Sequence, residues 1–302
     1  MPKVSVLIPF YNSRDYVEET IESVLLQNFK DFELILVDNR STDGSYELIQ
    51  KYANDDRVRI FQNEINVGMC GNWNQSLSYA KGEYIKYLFA DDLLYPNALE
   101  RYCDVLDENP NISLVTSYFD YFGSQNYTFK QPLTGKINGR IAIKESLISH
   151  NWIGAPSNVM FRRSCVKWEG FNVIWHWWLD FEFWHKLLLS HDLFVIPETL
   201  SKFRYHVASA TTAAVGNFDN LNDEYFYLKS LQNNPEYFFL QNDIEFNKAL
   251  KRNAEKWITH VSLFFQIKRY DLIKKSLSIV IEERLVKNFF TYFYRKALQK
   301  MK

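Results

Sequence analysis

Val4-Ser5-Val6-Leu7-Ile8-Pro9-Phe10-Tyr11-Asn12 begins as a short apolar run and stops on polar residues. Such a run, too short for a helix and broken by Pro, reads as a strand buried on both faces. Similar runs occupy Glu33 to Val37, Val58 to Phe61, Tyr84 to Leu88 and Ile112 to Thr116. Between the first two, Tyr16, Val17, Ile21, Val24 and Leu25 recur at helical spacing behind Asp15, which predicts a helix with one buried face. Further helices are expected over Ser45 to Tyr52, Gly71 to Ala80 and, opened by Pro96, Asn97 to Leu106. Strand and helix alternating over residues 1–120 make an α/β fold, a mostly parallel twisted sheet flanked by helices.

Beyond residue 120 the pattern changes. From Gly123 to Ala155 the periodicity weakens and Gly, Asn, Gln and Pro collect, which predicts irregular structure over the sheet. A strand from Asn158 to Phe161 and an aromatic-rich helix from Asp180 to Leu189 restore order, and after Val215 the chain reads as all helix. The expected division is a domain over 1–214, with halves 1–120 and 121–214, and a helical C-terminal extension over 215–302.

Composition limits the function. With 47% hydrophobic and 24% charged residues in 302, the chain can bury a sizeable core, and disorder as its main state is excluded. No apolar run approaches the ~20 residues that cross a bilayer, and nothing at the start resembles a leader, so a cytoplasmic protein is expected. Cys70, Cys103 and Cys165 are scattered and odd in number, which suits a reducing compartment and no zinc site. The formal net charge is -1, yet Lys251 to Lys302 holds 13 Lys and Arg against 4 Asp and Glu. This basic end suggests an anionic contact surface.

In an open α/β sheet, ligands lie beyond the carboxyl ends of the strands. The polar residues there are Pro9-Phe10-Tyr11-Asn12, then Asp38-Asn39-Arg40-Ser41-Thr42-Asp43-Gly44-Ser45, then Ala90-Asp91-Asp92. Asp91 and Asp92 stand far from any compensating lysine in sequence, so a divalent cation between them is the expected remedy for their repulsion. Mn2+ or Mg2+ with few protein carboxylates suits a diphosphate substrate, which supplies the remaining ligands. Capping of the helix after Pro96, and a solvated turn tipped by Asp43-Gly44, are the plain structural alternatives.

The order and spacing of these segments resemble family 2 glycosyltransferases. The resemblance runs through the Val4 to Asn12 start, Val37 to Ser45, Asn66-Val67-Gly68, and Ala80-Lys81-Gly82-Glu83-Tyr84-Ile85 leading to the aspartate pair. It implies a GT-A fold, with a Rossmann-like nucleotide-binding half and an acceptor half. The implied reaction is inverting transfer from a nucleotide-diphosphate sugar, UDP first among the carriers, to an acceptor hydroxyl in surface polysaccharide or lipid-linked glycan synthesis.

On the matching positions the resemblance implies that Pro9, Tyr11, Asp38 and Asn39 surround the nucleoside. Asp43, Asn66 and Gly68 also contribute to the donor site. Asp91 holds the metal with Asp92 beside it. Trp178-Leu179-Asp180-Phe181-Glu182-Phe183-Trp184 is similar to the family's Glu-Asp motif, which makes Asp180 the catalytic base; Glu182 reads as a surface charge. Phe203-Arg204-Tyr205-His206-Val207-Ala208-Ser209 resembles a segment that folds over the diphosphate, with Arg204 on phosphate oxygens and His206 a phosphate donor or third metal ligand. The chain departs from the pattern at Asn39 and Phe89, where aspartates are frequent, and at Leu179, where glutamate is usual. Trp175, Trp177, Trp178 and Trp184 either line an acceptor site or pack the core.

Arg284 to Lys302 has six basic residues, no acidic ones, and Phe289, Phe290, Tyr292, Phe293 and Tyr294. It fits peripheral contact with the cytoplasmic face of an anionic membrane, or packing against a domain or a second copy in a homo-oligomer. Two rivals to the transferase are a non-catalytic nucleotide-sugar-binding subunit, which the three departures favour, and a sugar-phosphate nucleotidyltransferase, which Arg14 as the one basic residue of the first loop disfavours. No Gly-x-Gly-x-x-Gly follows the first strand, against a nicotinamide dehydrogenase, and nothing points to nucleic acid.

Overall fold

The computed structural model describes residues 1–149, 151–206 and 217–300, the last six by backbone alone. The chain forms two compact units, Met1–Ser146 with His150–Ala213, and Leu147–Ser149 with Ala214–Lys302.

The first unit is built on one mixed sheet whose strands run in the order β3 (Val58–Gln62), β2 (Phe32–Asp38), β1 (Val4–Phe10), β4 (Tyr84–Tyr87), β9 (Val159–Arg162), β6 (Ile112–Gly123), β10 (Asp192–Tyr205) and β5 (Leu93–Leu94). Four strands carry the parallel half: β1 (Val4–Phe10), β2 (Phe32–Asp38), β3 (Val58–Gln62) and β4 (Tyr84–Tyr87). β1 lies between β2 and β4, with Val4 opposite both Phe32 and Tyr84. All residues of β1 and β2 are buried, as expected of strands covered on both faces. Val17, Ile21 and Val24 of α1 (Val17–Leu25) pack against Val4, Val6 and Ile8 in one apolar cluster. Each such aliphatic side chain contributes about 1.5–3 kcal/mol on burial. The residue that precedes this helix is Tyr16, without a side-chain cap, so Asp15 does not start it.

The expected parallel pairing holds for these strands and ends at β9 (Val159–Arg162), which runs antiparallel to both β4 and β6 (Ile112–Gly123). The second half also contains β5 (Leu93–Leu94), β7 (Tyr127–Phe129), β8 (Gly135–Ile137) and β10 (Asp192–Tyr205). β10 is the strand that sequence periodicity hides, because Pro197 interrupts it and its pairing with β6 shifts register between Ile196 and Thr199. The stretch from Gly123 to Ala155, read as irregular, contains β7, β8 and the helix α5 (Gly139–Ile148). The other α-helices among the described residues of this unit are α2 (Ser45–Ile49), α3 (Gly68–Tyr79), α4 (Ala98–Glu108) and α6 (Leu179–Leu188).

Gly82 explains its own place before β4: a Cβ there would meet the Ser5 amide nitrogen at 2.4 Å. The Gly82 amide instead donates to Ser5 Oγ at 2.7 Å, and Ser5 Oγ donates to Glu33 Oε1 at 2.7 Å, which ties β4's entry to β1 and β2.

The second unit is helical in its described residues: α7 (Asp219–Leu231), α8 (Ile244–Gln266), α9 (Tyr270–Glu282) and α10 (Val286–Lys300). α8 begins at Asp243, whose carboxylate accepts the Phe246 amide at 3.0 Å, and buries Leu250, Trp257, Val261 and Phe264 along one face.

Candidate active site

At the carboxyl edge of the parallel strands, two loops are zipped together. Asn12, in the left-handed region at φ 51°, accepts the Thr42 amide at 2.8 Å on Oδ1 and donates its own amide to Ser41 Oγ at 2.8 Å. Asp43 accepts the Arg14 amide at 2.9 Å and both the amide and hydroxyl of Ser45. Desolvation pulls the Asp43 pKa up, but these hydrogen bonds outweigh it and hold it below the ordinary carboxylate value. Tyr11 stands out from this wall with 47% of its surface exposed, while Pro9 is buried in β1.

Asp38 and Asn39 spend their hydrogen bonds inside the chain. Asp38 is fully buried; both its oxygens accept the Ser41 amide at 3.1 Å and Oδ2 accepts Gln62 Nε2 at 2.8 Å. Asn39 Nδ2 donates to Asn66 Oδ1 at 2.9 Å and to the Gly68 carbonyl at 3.2 Å, and its Oδ1 accepts Asn63 Nδ2 and the Val67 amide, each at 3.0 Å. All four hydrogen-bonding positions of that carboxamide are used inside the chain. Asn66 in turn accepts the Gly68 amide at 2.9 Å, where Gly68 takes φ 76° to open α3. These residues shape the wall of the crevice, and an amide at position 39 is required because two of its partners are acceptors.

Beyond β4, Asp91 and Asp92 diverge. Asp91 Oδ2 lies 2.9 Å from His206 Nε2, and both side chains keep some exposure. Asp92 is 1% exposed and turns inward, where Oδ1 accepts the Arg204 amide at 2.9 Å. Its Oδ2 is buried without a hydrogen-bond partner among the described residues. Burial, and after it the charge of Asp91, raises the Asp92 pKa well above the ordinary value. The expected trio of metal ligands is therefore not assembled; among the described residues no three His, Cys, Asp or Glu side chains group around one point. Arg204 Nε donates to the Asp91 carbonyl at 2.9 Å, its guanidinium pairs with Glu19, and it lies over the Tyr16 and Phe122 rings. Tyr16 also packs on His206, with ring centroids 5.1 Å apart. Val207, Ala208 and Ser209 lie outside the described residues.

Beneath the pair lies a lysine that the sequence reading passed over. Lys86 on β4 is fully buried and donates to the carbonyls of Pro156, Ser157 and Val159. Burial pushes its pKa well down while Asp92 pulls it back up. The fit to a cation rests instead on Asp91 and His206, a hard oxygen and an imidazole held together at the crevice. That donor set suits Mn2+ or Mg2+ with diphosphate oxygens completing the shell.

Asp180 sits in the first turn of α6. Part of the residue is exposed, yet desolvation of its carboxyl dominates and raises the pKa to about 7, against a 2.7 Å hydrogen bond from the Phe181 amide that lowers it. The chain enters α6 through Phe171, 3% exposed, stacked on Phe183 and gripped by Asn74 of α3, which accepts the Phe171 amide at 2.7 Å and donates to its carbonyl at 2.9 Å. Glu182 is buried, accepting from Asn172 at 3.2 Å and pairing with Lys186, so it braces this entry and is no surface charge. Trp184 and Trp175 are buried, Trp184 donating to the Gly154 carbonyl at 3.2 Å, whereas Trp177 and Trp178 are half-buried. Sequence reasoning missed Lys86, Ser157, Tyr16 and Glu19; Lys86 alone carried a signal, a charge inside a strand otherwise read as buried.

The model of the family described as Glycosyl transferase family 2 matches residues 5–168. The Bacillus subtilis (strain 168) protein EpsE, a glycosyltransferase by name, is 39% identical over 127 residues, 40% of this chain and 46% of EpsE, so the chain spans about half the length of that relative. Staphylococcus aureus TarS residues 1–349, solved with UDP-GlcNAc, superposes with a TM-score of 0.66 at 18% identity, covering 94% of this chain and 92% of that one. The Pyrobaculum calidifontis mannosyltransferase PcManGT, solved with GDP-Man and Mn2+, superposes at 0.58 with 14% identity, covering 98% and 84%. These likenesses establish the GT-A fold.

Proposed function

This chain belongs to glycosyl transferase family 2, and from that premise we propose that it is an inverting transferase that moves a sugar from a nucleotide-diphosphate donor, UDP first among the carriers, to an acceptor hydroxyl. The observation that carries this reading is the Asp91–His206 pair at 2.9 Å, with Arg204 beside it, at the carboxyl edge of a nucleotide-binding sheet.

Asp91 and His206 would hold Mn2+ or Mg2+, whose charge would neutralise the diphosphate as it leaves. Arg204, fixed through Asp92 and the Asp91 carbonyl, adds positive charge at the same place. Tyr11 offers an exposed ring to the base, and the loops zipped by Asn12, Asp38, Asn39 and Asp43 hold the wall behind it. Asp180 takes the proton of the acceptor hydroxyl as its oxygen bonds to the anomeric carbon, opposite the breaking bond to the diphosphate. Trp177 and Trp178, half-buried beside it, line the acceptor side.

The test is thermal stabilisation by UDP, GDP, dTDP and CMP, each with and without Mn2+. One diphosphate at about 100 times its Kd stabilises the fold by about 2.7 kcal/mol, and the shift grows with Mn2+. No shift with any of the four overturns the donor-site reading and favours a chain without this activity.

The acceptor is proposed to be a lipid-linked glycan met at an anionic membrane surface. No helix among the described residues is long and apolar enough to cross a membrane. In the helical unit, however, Tyr270, Leu277 and Ile281 of α9, and Val286, Phe290 and Tyr294 of α10, are exposed, with Lys274, Arg284 and Lys287 exposed among them. Apolar stripes mixed with cations suit an anionic interface. Cosedimentation with phosphatidylglycerol vesicles, weak with phosphatidylcholine and lost on removing residues 284–302, is the expected result; binding unchanged by that removal overturns it.

A further inference from the structure

Three consecutive residues of α3 tie it to three parts of the crevice. Asn72 Nδ2 donates to the carbonyls of Phe10 at 3.4 Å and Val37 at 3.2 Å, at the ends of β1 and β2. The Trp73 carbonyl accepts the Tyr87 hydroxyl at 2.8 Å, at the end of β4. Asn74 reaches the chain that leads into α6: its Oδ1 accepts the Phe171 amide at 2.7 Å and its Nδ2 donates to the Phe171 carbonyl at 2.9 Å. A carboxamide can meet the N–H and C=O of one residue together, as a paired strand does.

Both sides of this clasp are built for it. Gly170 takes φ 124°, and a Cβ there would lie 2.3 Å from Asn74 Oδ1, so glycine is what lets the backbone approach. Cys70, one turn earlier on α3, adds a weak Sγ donor to the same carbonyl at 3.5 Å and lies 3.8 Å from Asn74 Nδ2. The Phe171 ring meets Trp73 edge-on at 5.1 Å and stacks on Phe183 of α6 at 4.3 Å. Asn172 continues the brace, accepting the Ile174 amide at 3.2 Å and donating to Glu182 at 3.2 Å. At its other end α3 is held by Asn39, through the Gly68 carbonyl at 3.2 Å.

One helix thus holds both the donor wall and the entry to α6. We infer that Asn74 is a positioning residue that fixes the chain carrying Trp177, Trp178 and Asp180 against the donor wall, an inference that rests on the reading of Asp180 as the base. Without the clasp, the base keeps its chemistry and loses its place.

The test is turnover by the full chain with water as acceptor. The probes are UDP-glucose, UDP-GlcNAc and GDP-mannose with Mn2+, and release of the diphosphate is followed. Asn74→Ala is expected to lower kcat ~10–100-fold, the scale of a misplacement of about 1 Å, while the Kd of the released diphosphate stays at the wild-type value. Gly170→Ala, which blocks the same approach from the other side, should do likewise, and the double variant should add little. In an Asp180→Asn background, Asn74→Ala should leave the residual rate unchanged, because the residue it places is already disabled. An equal loss in both backgrounds overturns the inference, and so does a wild-type kcat in Asn74→Ala. Asn74→Asp keeps the acceptor for the Phe171 amide and serves if the alanine variant folds poorly. Full turnover in Asp180→Asn alone defeats the base reading instead. Should wild type turn over none of the three donors, hydrogen exchange in the ligand-free chain decides. The amides of Phe171, Ile174 and Glu182, the last bonded to the Trp178 carbonyl at 2.9 Å, are then expected to exchange at least ~10-fold faster in Asn74→Ala, with those of β1 and β2 unchanged. Acceleration of Phe171 alone, or of the whole sheet, overturns the inference.

Discussion

Asp180→Asn is expected to lower kcat for sugar transfer by about 10²–10⁴, the range that positioned general bases supply, while nucleotide binding stays at the wild-type level. The carboxyl is desolvated in the first turn of α6, which lifts its pKa to about 7 and makes it a stronger base than a solvated aspartate. Wild-type kcat therefore rises with pH through about 7 as Asp180 loses its proton, and the residual rate of the variant is flat across that window. A carboxyl whose folded pKa lies above its unfolded value binds more protons folded than unfolded between those values, so it costs stability progressively as pH rises from the ordinary 3.8 to about 7. Asn carries no such cost, and the variant should melt no lower than wild type at pH 8, which separates lost chemistry from lost folding. Full activity in Asp180→Asn would remove Asp180 from the mechanism.

Asn39→Asp, a change toward the residue frequent in the family, is expected to destabilise the chain at pH 7 by about 3–5 kcal/mol, the cost of an uncompensated buried charge. Asn39 is 3% exposed and donates to Asn66 Oδ1 and the Gly68 carbonyl. An aspartate there sets lone pairs against both acceptors, and the loop from Asn66 to Gly68 loses its hold on β2. The new carboxyl's folded pKa would be raised, so the deficit is smallest in acid, where a protonated oxygen donates once, and opens as pH rises above the unfolded value of about 3.9. Chemical denaturation at pH 4 and pH 7 reads both. A loss under about 0.5 kcal/mol at pH 7, the scale of an ordinary surface substitution, would show that the carboxamide network is not what holds this wall.

That network also marks where sequence reasoning stops. The first four strands were readable because parallel strands covered on both faces appear as uninterrupted apolar runs, ended by the residues that build the loops. β10 was not, since Pro197 and the register shift break its alternation, although it delivers Arg204 and His206. At the site, residue types were legible and directions were not. Asp91 and Asp92 are neighbours in sequence but face opposite ways, Asp91 toward His206 and Asp92 toward the Arg204 amide. Asp38 and Asn39 occupy the expected turn, yet spend their hydrogen bonds inside the chain. Tyr16 and Glu19, which flank His206 and Arg204, look in sequence like ordinary helix-start residues.

Calorimetric titration of UDP, with and without Mn2+, into wild type and Asp91→Asn tests a metal-assisted diphosphate site most directly. Mn2+ is expected to tighten binding in wild type, and the variant with Mn2+ present to bind with at least a ~10-fold weaker Kd, equivalent to about 1.4 kcal/mol. Equal affinity in both proteins, indifferent to Mn2+, would contradict a metal-assisted diphosphate site at Asp91 and His206.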